Sequence, residues 1–276
     1  MVRAAIRSPV KPLILAALSV FFLQPTCRAE LITGTNFDAR NWNLIANFRE
    51  GAGLVTKDSS TNTITLDLTN GPTWVSNKNG RGKAINFDGS DDIVTVPLAL
   101  EGLFDFTDRS TFTVVVLFRN PSGGDDRVLV SKVTWPTAGW VFRTGASGAK
   151  LGLYLRGSGG TNQYLEAIGI SNAMFINNNW HTAAFVYRGK LHGTTLKELW
   201  FDGVQYALTS SGTTGTTGDL LNDALLTIGN TDALTFSNMI NDIGCVMVSR
   251  EGYAPSPSGM MSLHRRLMGQ VARPPR

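Results

Sequence analysis

The stretch Gly82-Lys83-Ala84-Ile85-Asn86-Phe87-Asp88-Gly89-Ser90-Asp91-Asp92-Ile93-Val94 decides the fold. An apolar run over 83–87 stops at Asp88-Gly89, a dipeptide suited to a tight turn, and a second β-branched run follows over 92–97. This is a strand, a turn and a strand within fifteen residues, and the same unit recurs along the chain. Counting β-branched and aromatic runs predicts strands over 43–48, 63–68, 83–87, 92–97, 111–119, 127–134 and 139–143. Further strands are predicted over 150–156, 163–170, 180–187, 196–201, 204–208, 224–229 and 240–249. Leu151, Leu153 and Leu155 share one face against Lys150, Gly152 and Arg156. The run 111–118 is apolar on both faces, with Val115 and Leu117 opposite Phe112, Val114, Val116 and Phe118, so it reads as a central strand buried on both sides.

Turn chemistry agrees with this pattern. Asp202-Gly203 reads as a two-residue hairpin turn at positive φ, and Asn70-Gly71, Asn79-Gly80 and Asp88-Gly89 mark further turns. Ser210–Gly218 (SSGTTGTTG) reads as a loop. One helix is predicted over 258–268, with Met260, Met261, Leu263, Leu267 and Met268 on its apolar side, and 271–276 reads as a disordered tail. No linker divides residues 30–270, which read as one all-β domain: a two-sheet antiparallel sandwich or jelly roll with a short C-terminal helix.

The first 29 residues read as an address rather than as structure. Arg3, Arg7 and Lys11 precede an eleven-residue apolar run at 13–23, and Cys27-Arg28-Ala29 supplies small residues for cleavage after Ala29. The apolar run falls short of the roughly 20 residues that span a bilayer, so a cleaved signal peptide is the better reading than a retained anchor. The residues before Cys27 resemble a lipoprotein signal poorly. The mature protein is thus expected outside the cytoplasm: secreted, periplasmic or on the cell surface. Its one remaining cysteine, Cys245, has no partner for an internal disulfide. The absence of an Asn-x-Ser/Thr sequon suits a bacterial source.

Removing Arg3, Arg7, Lys11 and Arg28 from the 25 Lys+Arg leaves 21 against 21 Asp+Glu. A neutral mature chain without a basic run has no field to hold a polyanion, which excludes nucleic acid as the expected partner.

Taken in order, several segments resemble one family, the laminin-G-like jelly rolls of the concanavalin A-like lectin/glucanase superfamily. They are Ile45–Gly51, Gly82–Val94, Thr111–Val114, Leu129–Lys132, Trp180–Ala184, Leu199–Val204, Leu226–Asn230 and Asp242–Arg250. The likeness covers nearly all of the mature chain. It departs at Cys245, where members carry an acid, and at the proline-rich 251–258. The resemblance implies the fold; it leaves open lectin, hydrolase and adhesion roles. It also implies structural calcium near the acidic turn, with Asp88 and Asp91 as ligands and Asp242 as a distant partner.

Catalytic patterns are missing. Glycoside hydrolysis needs two carboxyl groups about 5–10 Å apart, and no E-x-D-x-E strand occurs. Glu198 and Asp202 flank Trp200, but Asp202 reads as a turn residue and Glu198 as a solvated edge. There is no Gly-x-Ser-x-Gly, P-loop or dinucleotide fingerprint, and His181, His192 and His264 make no ligand or triad pattern. Three carboxylates within Asp88–Asp92 favour a hard cation, calcium, over any other metal, against the plain reading of a solvated turn. For sugar binding, Trp135 and Trp140 flank a loop-like segment and are the expected exposed platform, with Tyr164 as a further candidate. The expectation is an exported non-catalytic binding module for a glycan or an extracellular protein. The alternatives are an adhesion protein without a small ligand and, less favoured, a hydrolase with an unrecognised carboxylate pair.

Overall fold

The structure is a computed structural model that describes residues 37–76, 82–120, 127–133, 137–144, 150–189, 196–212, 218–231 and 239–272. The expected signal segment, Trp135, His192 and Asn79-Gly80 lie outside the described residues. The described part belongs to one compact unit, Asn36–Arg276.

The strands are β1 (Trp42–Ala46), β2 (Val55–Lys57), β3 (Thr65–Thr69), β4 (Thr73–Ser76), β5 (Lys83–Asp88), β6 (Ile93–Thr95), β7 (Thr111–Arg119), β8 (Arg127–Val133) and β9 (Gly139–Thr144). They continue as β10 (Leu151–Arg156), β11 (Asn162–Ala167), β12 (Trp180–Arg188), β13 (Leu196–Phe201), β14 (Val204–Tyr206), β15 (Leu208–Gly212), β16 (Thr227–Ile228) and β17 (Ile240–Ser249). Each of the fourteen expected strands is present, and β2, β4 and β15 are additional. The helices are α1 (Asn172–Phe175), a single turn, and α2 (Pro257–Ala272), which contains the predicted helix.

Two open antiparallel sheets result. The eight-stranded sheet runs β14-β13-β12-β7-β17-β5-β4, with β1 also pairing to β17. The nine-stranded sheet runs β15-β11-β10-β9-β8-β16-β6-β3-β2. Period-two side chains from both sheets meet in one core. Phe112 and Phe185 of the first sheet stand 5.8 and 5.5 Å from Trp140 of the second, ring centre to ring centre. β7 is central, between β12 and β17, and its seven inner residues are all buried, as its two apolar faces require.

Two expectations need correction here. Trp140 is fully buried rather than exposed. It shares the inward face of β9 with Phe142, while Val141 and Arg143 point outward, so strand alternation overrides its loop-like flank. The stretch Ser210–Gly218 is not all loop, because Ser210, Ser211 and Gly212 pair with Leu165, Tyr164 and Gln163. Small polar residues carry that pairing because a ladder uses backbone groups, not side chains.

The hairpin turn is as its chemistry demands. Asp202 and Gly203 adopt φ of 49° and 77° between paired Phe201 and Val204. A different device fixes the end of β8. The Lys132 ammonium is buried and sits 2.7 Å from each of Glu101 Oε2, Asp105 Oδ1 and the Asn222 carbonyl. It thereby ties β8 to the 3₁₀ segment Leu98–Phe104 and to the strand-free segment around Asn222.

Candidate functional site

Three polar constellations stand on this frame. The first lies on the outer face of the nine-stranded sheet. There Leu151, Leu153 and Leu155 of β10 point into the main core, and Tyr154 points the other way into a small cluster with Val128, Val133 and Val141. Tyr154 pairs across the strands with Tyr164 of β11, the ring centres 4.9 Å apart. Tyr164 is half-buried, and the Arg143 guanidinium carbon lies 5.6 Å from its ring centre. The Tyr154 hydroxyl donates to Asn162 Oδ1 at 2.9 Å, and Arg156 donates to the same oxygen. Burial pushes the Tyr154 phenol up, so it stays a neutral donor at physiological pH. Lys150 and Glu166 pair at 2.8 Å on the neighbouring positions. The patch thus offers an aromatic ring face beside guanidinium and amide donors. Of the three aromatics expected to bind ligand, the structure places only Tyr164 at the surface: Trp140 is in the core and Trp135 is outside the described residues.

The second constellation is the acidic turn between β5 and β6. Oxygens of Asp88, Asp91 and Asp92 lie within 4.8 Å of one another. Asp88 and Asp91 are exposed, while Asp92 is 3% exposed. The backbone N–H of Asp88 donates to Asp92 Oδ2 at 2.8 Å, and the N–H of Ser90 donates to Asp88 Oδ1 at 2.7 Å. Burial raises the Asp92 carboxyl above its usual range; the Asp88 and Asp91 charges push the same way, and the Asp88 N–H opposes them. Three clustered hard oxygens with one disfavoured charge fit a calcium ion chemically. Asp242 is not part of this group, and its expected role as a distant ligand is corrected. Its register sets it beside Arg119 of β7 and Asn86 of β5. Arg119 Nε donates to Oδ2 at 2.7 Å and Asn86 donates to Oδ1 at 2.8 Å, so an arginine already neutralises the buried carboxylate.

The third constellation was not visible in the sequence. Asp202 Oδ2 lies 2.7 Å from His181 Nδ1, and Asp202 Oδ1 accepts from the Thr182 N–H at 2.9 Å. Thr182 Oγ1 is 2.8 Å from His264 Nδ1 on α2. The other His181 nitrogen is 3.0 Å from Asn177 Oδ1, an oxygen that also accepts the Asn179 N–H. Both His181 nitrogens thus have hydrogen-bond partners, Asp202 on one side and Asn177 on the other. Thr182 is 4% exposed, so its hydroxyl is no nucleophile for a solvent-borne substrate. Glu198, the other half of the expected carboxylate pair, accepts from Arg188 at 2.8 Å and from the Trp200 indole at 3.1 Å.

No protein-family model matches the sequence, and no curated protein matches it. Solved structures do. The binding domain of Paraclostridial Mosquitocidal Protein 1 aligns with a TM-score of 0.59 at 15% identity, over 83% of this chain and 52% of that one. Domain 4 of AbnA, a GH43 extracellular arabinanase from Geobacillus stearothermophilus in complex with arabinotriose, aligns with a TM-score of 0.57 at 14% identity. That match covers 81% of this chain and 98% of the arabinanase domain. The botulinum neurotoxin serotype D binding domain aligns at 0.57 and 10% identity, over 83% of this chain and 52% of that one. This chain thus spans about half the length of the two toxin domains. These likenesses establish the fold. At such identity they carry no residue of any partner site across.

Proposed function

We propose that this chain is a non-catalytic carbohydrate-binding module of the laminin-G-like type, exported from the cell, with the Tyr164 face of the nine-stranded sheet as its sugar platform. The observation that carries the reading is the half-buried Tyr164 ring, backed by Tyr154, flanked by Arg143 and bordered by Asn162 and the Lys150–Glu166 pair. Among the described residues, several acids are held by cations: Glu101 and Asp105 by Lys132, Glu198 by Arg188, Asp242 by Arg119. The arabinotriose complex of the arabinanase domain supports a glycan as the ligand class. The toxin binding domains support a binding role without naming a ligand, and an extracellular protein stays as the second class in this reading. In the same reading, Asp88, Asp91 and Asp92 hold a structural calcium that offsets the unfavourable Asp92 charge.

The test is a glycan array followed by calorimetry with the best oligosaccharide, in calcium, for the wild type and for Tyr164→Ala. Removal of the stacking ring is expected to weaken binding, since the apolar area it would bury against the sugar is lost. Melting should fall modestly, because Tyr164 is half-buried against Tyr154, so binding is measured well below the variant's midpoint. Binding that survives Tyr164→Ala at full strength refutes the platform. An array without hits, together with cell-surface retention of the protein, favours the adhesion reading.

A further inference from the structure

The third constellation lies on the other sheet, away from the Tyr164 face, and joins the C-terminal helix to the sandwich. Helix α2 packs on the outer face of the eight-stranded sheet through Met260 and Leu263, over a small cavity whose floor is Val115, Thr182, Ala184 and Trp200. Its approach to the β13–β14 turn is close: a Cβ on Gly203 would stand 3.0 Å from Met261 Sδ and 3.1 Å from His264 Cβ. His264 is the polar contact at this seam, through Thr182 Oγ1 at 2.8 Å, with Asp202 Oδ1 at 4.0 Å. We propose that α2 is a pH-operated latch, closed while His264 is neutral and released from the sheet when its ring gains a proton.

The charges around His264 give the direction. Asp202 faces it from the turn between β13 and β14, His181 faces it from β12, and Arg265 adjoins it on α2 itself. Asp202 is already committed to the His181 ring and the Thr182 N–H. A protonated His264 would therefore have to share the Asp202 carboxylate with the His181 ring and the Thr182 N–H, beside the Arg265 guanidinium. A neutral His264 can accept the Thr182 hydroxyl proton through Nδ1; a protonated ring would have to donate to that hydroxyl instead, with its charge held in a cavity lined by Val115, Ala184, Trp200, Met260 and Leu263. Burial is the largest influence holding His264 below its ordinary value of 6.5; Arg265 and His181 act in the same direction, and Asp202 opposes them. A group whose folded value is depressed binds its proton more readily when released. The docked state thus keeps its full advantage above about pH 6.5 and loses it as the pH falls below that value.

Hydrogen exchange of the full chain tests this, at pH 7.5 and pH 5.0, with rates corrected for intrinsic exchange. Protection in peptides from α2 is expected to fall at pH 5.0 relative to pH 7.5. Protection in β7 should not change. In His264→Gln the pH dependence of α2 should vanish, because glutamine does not titrate. Equal α2 protection at both pH values overturns the proposal. So does a parallel loss in β7, which would mean acid unfolding of the whole sandwich, or a His264→Gln variant that keeps the wild-type pH dependence.

Discussion

Lys132→Met tests the idea that one buried ammonium organises the end of the sandwich. Methionine keeps most of the stem volume, so packing is conserved and the charge alone is removed. The Lys132 side chain is 1% exposed, whereas Glu101 and Asp105 are 19% and 28% exposed. Breaking a buried ion pair costs about 3–5 kcal/mol because the remaining charge is stranded. Partial exposure of both carboxylates puts the expected loss at the lower end, about 3 kcal/mol. The Asn222 carbonyl loses its donor as well, which adds about 1 kcal/mol. At about 2–4 °C per kcal/mol for a domain of this size, the combined loss of about 4 kcal/mol should lower the midpoint by roughly 8–16 °C. Urea unfolding followed by tryptophan fluorescence measures the free energy directly. Glu101→Gln is the control: Asp105 still neutralises the ammonium and the amide oxygen still accepts, so about 1 kcal/mol should be lost. A Lys132→Met loss below about 1 kcal/mol, or a Glu101→Gln loss equal to it, refutes the argument.

Gly229 has φ of 85°, and a Cβ there would lie 2.2 Å from Phe87 Cε1. Gly229→Ala should therefore cost about 3 kcal/mol from overpacking and left-handed backbone strain, read as a lower urea midpoint; an unchanged midpoint would show that the Phe87 ring moves freely aside. Asp92→Asn should melt at or above the wild type in a chelator, because the raised Asp92 carboxyl costs stability once pH exceeds its folded value. Calcium should raise the wild-type midpoint and not that of Asp92→Asn; equal shifts in both would dismiss the acidic turn as the ion's seat. Burial pushes the Cys245 thiol up to about 12. Native protein at pH 8 should then resist iodoacetamide until it unfolds in denaturant, and modification of the folded protein would contradict its burial.

The strands were legible because period two survives wherever a face is buried. β10 alternates leucine with Gly152 and Tyr154, and β7 is apolar over Val114–Phe118 because one face meets the core and Val115 on the other lies under α2. The three strands that escaped notice bury little. β2 has one buried residue of three, β4 has none, and β15 is built from Thr, Ser and Gly beyond its first residue. Edge strands such as these are held by backbone pairing to a neighbour, which composition does not record. Trp140 was misplaced for a related reason. Its neighbours Pro136-Thr137-Ala138-Gly139 read as a loop, yet the alternation Trp140–Phe142 against Val141–Arg143 already assigned it inward.

Site residues were legible only where they are close in sequence. Asp88, Asp91 and Asp92 cluster because a tight turn brings neighbours together, so their proximity is local chemistry. Asp242 carries the same functional group, but which group meets it depends on the register of β17 against β7 and β5. A shift of one residue would turn it to the other face of the sheet, away from Arg119 and Asn86. The His181–Asp202–His264 set is the extreme case: its contacts join residues 21 and 82 positions apart. The one local sign was Asp202-Gly203, whose positive-φ geometry aims the aspartate back at β12. A turn residue chosen for its backbone thus also supplies the carboxylate on which two histidines converge. Exchanging it for asparagine keeps the turn chemistry and removes the charge. Asp202→Asn should therefore fold, yet remove the charge that favours a protonated His264 and shift the release of α2, read by hydrogen exchange, to higher pH.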